Sequence, residues 1–255
     1  MINSITLAKK AIKLVCVIVF WLIIWQIIAA IVNQPLLIPT PVSVISTLSG
    51  MVVTQSFWLT VAMTVFRVVV GFISGMFIGA FMALAASKFK WFNALISPLV
   101  YIVQSTPVAS FIILALAWLG TSTVPTFICM LMVIPVIFSN LIAGLNSVDK
   151  DLLEMAYVFR LSFHKKLSKI YIPSLTSYIM SAAATGLGLG WKAGIAAEVI
   201  CRSKNSIGNN IYESKFYLLI TEMFAWTFVV ILLSILFDKI LKLLYKKFSV
   251  KYIEV

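Results

Sequence analysis

Acidic side chains are scarce here: no Asp or Glu precedes Asp149. Charge of either sign is missing altogether from Trp91 to Val148. A water-soluble fold would have to hide that whole stretch, and a chain of 255 residues has too much surface to do so. Only 11% of the residues are charged and 62% are hydrophobic, against about 25% charged in an ordinary soluble domain. Lipid is therefore the solvent for most of this sequence. Histidine occurs once, at His164 beside Lys165, where it reads as a surface residue. Cys16, Cys129 and Cys201 are far apart and mostly inside apolar runs, so they suit small apolar roles better than a disulfide or a zinc site. There is no Gly-x-x-x-x-Gly-Lys-Ser/Thr loop. The string Gly186-Leu187-Gly188-Leu189-Gly190 lies within an apolar run, has no strand before it and no Lys-Ser or Lys-Thr after it. No cofactor or metal is expected on this chain, and the lack of paired acids or a nucleophile–base pair argues against an enzyme.

What is abundant is basic charge placed just beyond apolar ends. The net charge of +12 reads as the positive-inside bias of membrane proteins, not as a nucleic-acid surface, because no basic-aromatic module accompanies it. A helix needs about 20 apolar residues to cross the hydrocarbon core. Runs of that kind fall near 14–32, 60–86, 98–119, 124–145, 174–199 and 221–241. The first is too long for a signal peptide and has no small-x-small cleavage site, so it reads as a retained anchor. The expected fold is all-α, integral to the membrane, about six spans in one domain over residues 1–255. With the N-terminus inside, fifteen Lys and Arg residues fall on the inner segments, and only Arg202, Lys204 and Lys215 on the outer ones. Both termini are expected in the cytoplasm.

Two spans carry small residues every four positions: Gly71, Gly75, Gly79 and Ala83, then Ala182, Gly186, Gly190 and Gly194. Such stripes let helix backbones approach where lipid gives apolar faces little reason to associate. Ionisable residues within spans are costly and usually face a cavity or a partner. Arg67, by its distance from Lys88, lies near the outer surface, where it either snorkels to the headgroups or pairs with Glu198. Lys192 lies deeper; it either pairs within the structure or lines a path for an anionic solute. It is about 120° around the helix from Glu198, so those two are no obvious pair. Gln104-Ser105-Thr106-Pro107 interrupts the third span, either bending it towards a central path or bonding a neighbouring helix.

The inner segment 149–173 is the longest charged stretch. Asp151 with Glu154 suggests a capping box for a helix from Leu152 to about Phe159, and Ser162 a cap for a second helix reaching Ile172, with Pro173 a disruption where the span begins. Glu154-Met155-Ala156, Leu161-Ser162 and Ile170-Tyr171-Ile172-Pro173 resemble the EAA loop of binding-protein-dependent ATP-binding-cassette importer permeases of type I (MetI-like). Leu37-Ile38-Pro39-Thr40-Pro41 resembles that family's segment after span one. Thr64 to Phe72, with Arg67 and Gly71, resembles its start of span two. Gly190-Trp191-Lys192 through Glu198 resembles the end of span five in the sulfonate, nitrate and taurine branch.

The resemblance implies a permease subunit offering alternating access to a small solute, of sulfonate, taurine, nitrate or vitamin-precursor type. It implies a homodimer, a separate ATPase carrying ATP and Mg, and an extracytoplasmic binding protein as partners. Glu154, Met155, Ala156, Arg160, Leu161, Ser162 and Pro173 would form the element that couples to the ATPase; Arg67, Gln104, Lys192 and Glu198 are candidates for the path or for intramembrane pairing. One departure stands out: Arg160 occupies the family's loop glycine, at a cost of about 1 kcal/mol if that turn takes a positive φ. The rival reading is a motor-independent channel or ion-coupled carrier, which usually shows several buried carboxylates.

Overall fold

The computed structural model describes the backbone of residues 2–253 and the side chains of residues 12, 13 and 15–245. Helices account for nearly all of it: α1 (Ile2–Val32), α2 (Pro41–Val52), α3 (Gln55–Lys88), α4 (Lys90–Ser105), α5 (Val108–Trp118), α6 (Val124–Asn146), α7 (Lys150–Val158), α8 (Phe163–Lys166), α9 (Ile172–Cys201), α10 (Ile207–Phe216) and α11 (Ile220–Ile253). A five-residue π-helical segment, Leu167–Tyr171, joins α8 to α9. The chain divides into two compact units, Met1–Leu59 with Asn210–Val230, and Thr60–Asn209 with Ile231–Val255.

In the first unit the connection after α1 is pinned by hydrogen bonds and rings. The Trp25 indole donates to the Pro39 carbonyl at 3.0 Å and stacks on Phe224. Thr40 caps α2, accepting from the Ser43 N–H at 3.2 Å, and Pro41 fills the first helical turn, where its missing N–H costs nothing. Phe57 stacks on Trp226 with ring centroids 5.2 Å apart.

The second unit is organised by the glycine stripes. A Cβ added at Gly71 would lie 2.5 Å from the Thr126 carbonyl oxygen, at Gly75 2.8 Å from Val133 Cβ, and at Gly79 2.8 Å from the Ile134 carbonyl oxygen. The stripe on α3 is therefore seated directly on the backbone of α6. The stripe on α9 meets α6 as well: a Cβ at Gly190 would lie 2.8 Å from Cys129 Sγ. Cys129 and Val133, both fully buried, thus sit where three helices close in, and the Cys129 thiol lies 3.4 Å from the Val68 carbonyl. Phe77 and Phe81, away from the stripe on α3, are exposed and available to lipid.

Among the described residues, four helices are long and apolar enough to cross a membrane: Val15–Val32 within α1, then α3, α6 and Ile220–Tyr245 within α11. The third expected run is α4 and α5, bent by 107° at Thr106-Pro107, and counts as a fifth span if the pair is one broken crossing. The 30 residues of α9 reach about 45 Å at 1.5 Å per residue. Its Gly, Ser and Thr residues, with Lys192 and Glu198, dilute its apolarity, and most of its C-terminal half is buried.

Two local expectations need correction. The cap of α7 is Asp149, whose carboxylate accepts from the Asp151 N–H at 2.9 Å, so the helix starts two residues earlier than a box on Asp151 would place it. Pro173 does not interrupt the chain either. Its ring would clash with the carbonyl of Lys169, but the π segment widens that turn, and Ile172 N–H bonds back to the Leu167 carbonyl. Helix runs unbroken from Phe163 to Cys201.

Candidate functional site

At the C-terminal end of α9, Glu198 and Arg67 form a buried pair, Nη1 to Oε1 at 3.2 Å, with relative exposures of 0% and 5%. Further hydrogen bonds surround the pair. The Thr64 hydroxyl donates to Glu198 Oε2 at 3.0 Å and accepts from the Ile207 N–H at 3.0 Å. The Gly208 N–H donates to the same Oε2 at 3.2 Å. The Arg67 guanidinium also donates to the Lys204 and Asn205 carbonyls, at 2.9 and 3.4 Å. Only glycine fits at 208, since a Cβ there would lie 2.4 Å from Glu198 Cβ. Of the two sequence alternatives for Arg67, pairing is the one adopted. The network ties α3, α9 and the start of α10 together, and it lines none of the cavities described next.

Gln104 and Lys192 do come together. They line one cavity of about 480 Å³ formed by the α4–α5 bend, α6 and α9, whose other walls include Thr106, Val108, Met132, Pro135 and Ala196. Lys192 is its only charged wall residue. The Gln104 amide also donates to Ser139 Oγ at 3.3 Å, so the break at 104–107 both bonds a neighbouring helix and opens the cavity. The bend exposes the start of α5, where Pro107 offers no side-chain cap. The first N–H groups of a helix have no internal partners and carry partial positive charge. On its other side Lys192 borders a second cavity of about 230 Å³ between α9 and α11.

The segment Asp149–Pro173 folds into a compact knob. Ala156, Val148 and Ile170 are buried together, with Leu153, Leu161 and Tyr171 packed on them. α7 ends in a Schellman turn: the Leu161 N–H bonds the Ala156 carbonyl, and the Arg160 N–H bonds the Tyr157 carbonyl, both at 3.0 Å. That turn requires a left-handed residue, and Arg160 supplies it with φ 49°. Arg160→Gly is expected to stabilise the isolated chain by about 1 kcal/mol, seen as a higher melting point in detergent.

Among the sequence candidates in this segment, Ala156 is buried and Leu161 half-buried, Pro173 sits in the first turn of α9, and Glu154, Met155, Arg160 and Ser162 are exposed. Ser162 occupies the cap position of α8 without a side-chain cap bond. The sequence reading passed over Tyr157, Val158, Phe159 and Phe163, which are 79%, 74%, 72% and 73% exposed. Their signal was present: a run of large apolar residues inside the most charged segment of the chain is out of keeping with a solvated connection.

Residues 75–250 match the family model described as binding-protein-dependent transport system inner membrane component. The aliphatic sulfonates transport permease protein SsuC of Bacillus subtilis is 24% identical over 227 residues, covering 88% of this chain and 82% of SsuC. The nitrate import permease protein NrtB of Synechococcus elongatus is 26% identical, covering 78% and 75%. The taurine transport system permease protein TauC of Escherichia coli is 22% identical, covering 89% and 85%. Among solved structures, an amino acid ABC transporter superposes with a TM-score of 0.58 at 15% identity, covering 76% of this chain and 94% of that one. The MetNI methionine ABC transporter, in inward-facing conformations, gives 0.52 at 16% identity, covering 72% and 92%. The family match covers more than half of this apolar, helical chain, which belongs to the binding-protein-dependent transport system inner membrane component family, as a permease subunit of an ABC importer, a transport component.

Proposed function

We propose that this permease carries a small anion of the sulfonate or nitrate kind, and that Lys192 meets it. The observation that carries the reading is the cavity of about 480 Å³ in which Lys192 is the only charged wall residue, with Gln104 beside it. A cation facing an apolar cavity with no carboxylate in its wall is complementary to a negative solute and repels a positive one. Sulfonates, nitrate and taurine appear in the names of its relatives, which accords with that chemistry.

Two copies of the chain enclose the path, each placing its 149–173 knob against one ATPase subunit that holds ATP and Mg. Both termini lie in the cytoplasm, since the basic residues crowd the inner segments. A binding protein delivers the solute at the opposite face. In the knob, Ala156 and Leu161 hold the shape, while Met155, Tyr157, Val158, Phe159 and Phe163 present an apolar surface to the partner, flanked by Glu154, Arg160 and Ser162. Apolar side chains this exposed outside lipid mark a protein interface. The test is Lys192→Met in the complete importer reconstituted into vesicles. Uptake of taurine, methanesulfonate and nitrate is expected to fall at least tenfold while ATPase binding is retained; undiminished uptake would remove Lys192 from the path.

A further inference from the structure

The cavity of about 230 Å³ between α9 and α11 contains an unexplained donor. Trp191 is 2% exposed, packs edge-to-face on Phe237 at 5.1 Å, and lines this cavity, yet its Nε1 has no acceptor. A buried indole N–H normally finds one. The other polar groups in the same wall are Lys192, Ser234 and Asp238. Asp238 is the only carboxylate bordering either cavity that Lys192 lines. In this structure Asp238 is turned to Lys242, one helical turn away, at 2.6 Å, with both side chains at least half exposed. An exposed i, i+4 pair of that kind holds a carboxylate only weakly. Lys192 is exposed, lines both cavities, and forms no ion pair among the described residues.

Two arrangements of the same groups follow. In the one observed, Asp238 stays with Lys242, the Trp191 N–H is orphaned, and Lys192 is available to the larger cavity. In the other, a rotamer change brings the Asp238 carboxylate into the smaller cavity, where it accepts from Trp191 Nε1 and pairs with Lys192. Every buried polar group is then satisfied. We propose that Asp238 is a positioning residue that competes with the transported anion for Lys192, so that pairing with Asp238 and holding the anion exclude one another. The carboxylate takes over the ammonium as the anion leaves and gives it up as the next one enters. The Trp191 N–H is the fixed donor that makes the second arrangement favourable.

This inference rests on Lys192 meeting an anion, and the test separates the two. The complete importer in proteoliposomes is assayed with taurine, methanesulfonate and nitrate as probes. With its competitor removed, Asp238→Asn is expected to hold the carried probe more tightly and release it more slowly, lowering KM and kcat each about fivefold. Asp238→Glu, which keeps the charge, is expected to restore both. Independently of transport, acylation of Lys192 by a small amine-reactive reagent, read by mass spectrometry without anion, is expected to be severalfold faster in Asp238→Asn and normal in Asp238→Glu. If Lys192→Met cuts uptake but Asp238→Asn matches the parent in kinetics and labelling, the competition is wrong and the anion reading stands. If Lys192→Met transports normally, or none of the three anions is carried, the anion reading falls and this inference with it.

Discussion

Glu198→Ala is expected to lower the stability of the chain by about 3–5 kcal/mol, the usual result of removing one partner from a buried ion pair. Arg67, 5% exposed, would keep its charge with only the Lys204 and Asn205 carbonyls for company. The Thr64 hydroxyl and the Gly208 N–H would lose their shared acceptor in the same step. At roughly 2–4 °C for each kcal/mol, the melting point should fall by about 10 °C. With the exposed Cys16 replaced by Ser, a maleimide dye can report it, because Cys129 and Cys201 are free and buried until the helices part. Replacing both charges, Arg67→Met with Glu198→Met, should recover part of the loss, since no lone charge remains buried. A Glu198→Ala protein that melts with the parent would show that the pair does not hold these helices.

Phe159→Asp should abolish uptake while leaving the permease itself intact. Phe159 is 72% exposed at the end of α7, so the substitution removes little packing from the chain. Loss of an aromatic anchor at an interface commonly costs about 2 kcal/mol or more, roughly 30-fold in affinity, and a carboxylate set against an apolar cleft adds a desolvation penalty. The ATPase is therefore expected to be lost on affinity purification of the variant, with the melting point of the permease unchanged. Retained ATPase and normal uptake would mean that the apolar face of the knob is not where the motor binds. Arg160→Gly makes a useful companion, since it is expected to stabilise the chain while removing a guanidinium that forms no hydrogen bond or ion pair among the described residues.

The spans and the seating of the helices were legible because membrane physics writes them into composition. Uncharged runs mark the crossings, and glycines four apart mark which faces touch; that both stripes meet α6 around Cys129 and Val133 was not legible, since a stripe names a face and not its partner. Arg67 and Glu198 were readable as candidates because a charge within a span demands a partner. Their union also needs the backbone of Lys204 to Gly208, and carbonyls and N–H groups leave no mark in a sequence. The 107° bend at Thr106-Pro107 was signalled by the proline, but its size depends on what packs beneath it. Pro173 misled for a physical reason: its break is absorbed by a wider turn, which is a property of the preceding backbone and not of the proline. The exposed aromatics of the knob lie between the motif positions, of which Ala156 and Leu161 pack into its interior.

The unbroken helix from Phe163 to Cys201 has a contour length of about 60 Å, at 1.5 Å per residue. One end of that helix carries the knob's exposed Phe163, and near the other end lies Glu198, clasped to Arg67. A lever held at its far tip pivots when it is pushed at its handle. Lys192 projects six residues before Glu198, close to that held tip, so a push at the handle would reach it only as a small displacement. Had Pro173 severed the helix, a push at the knob would have been lost at the joint; the five-residue π turn keeps the helix continuous there.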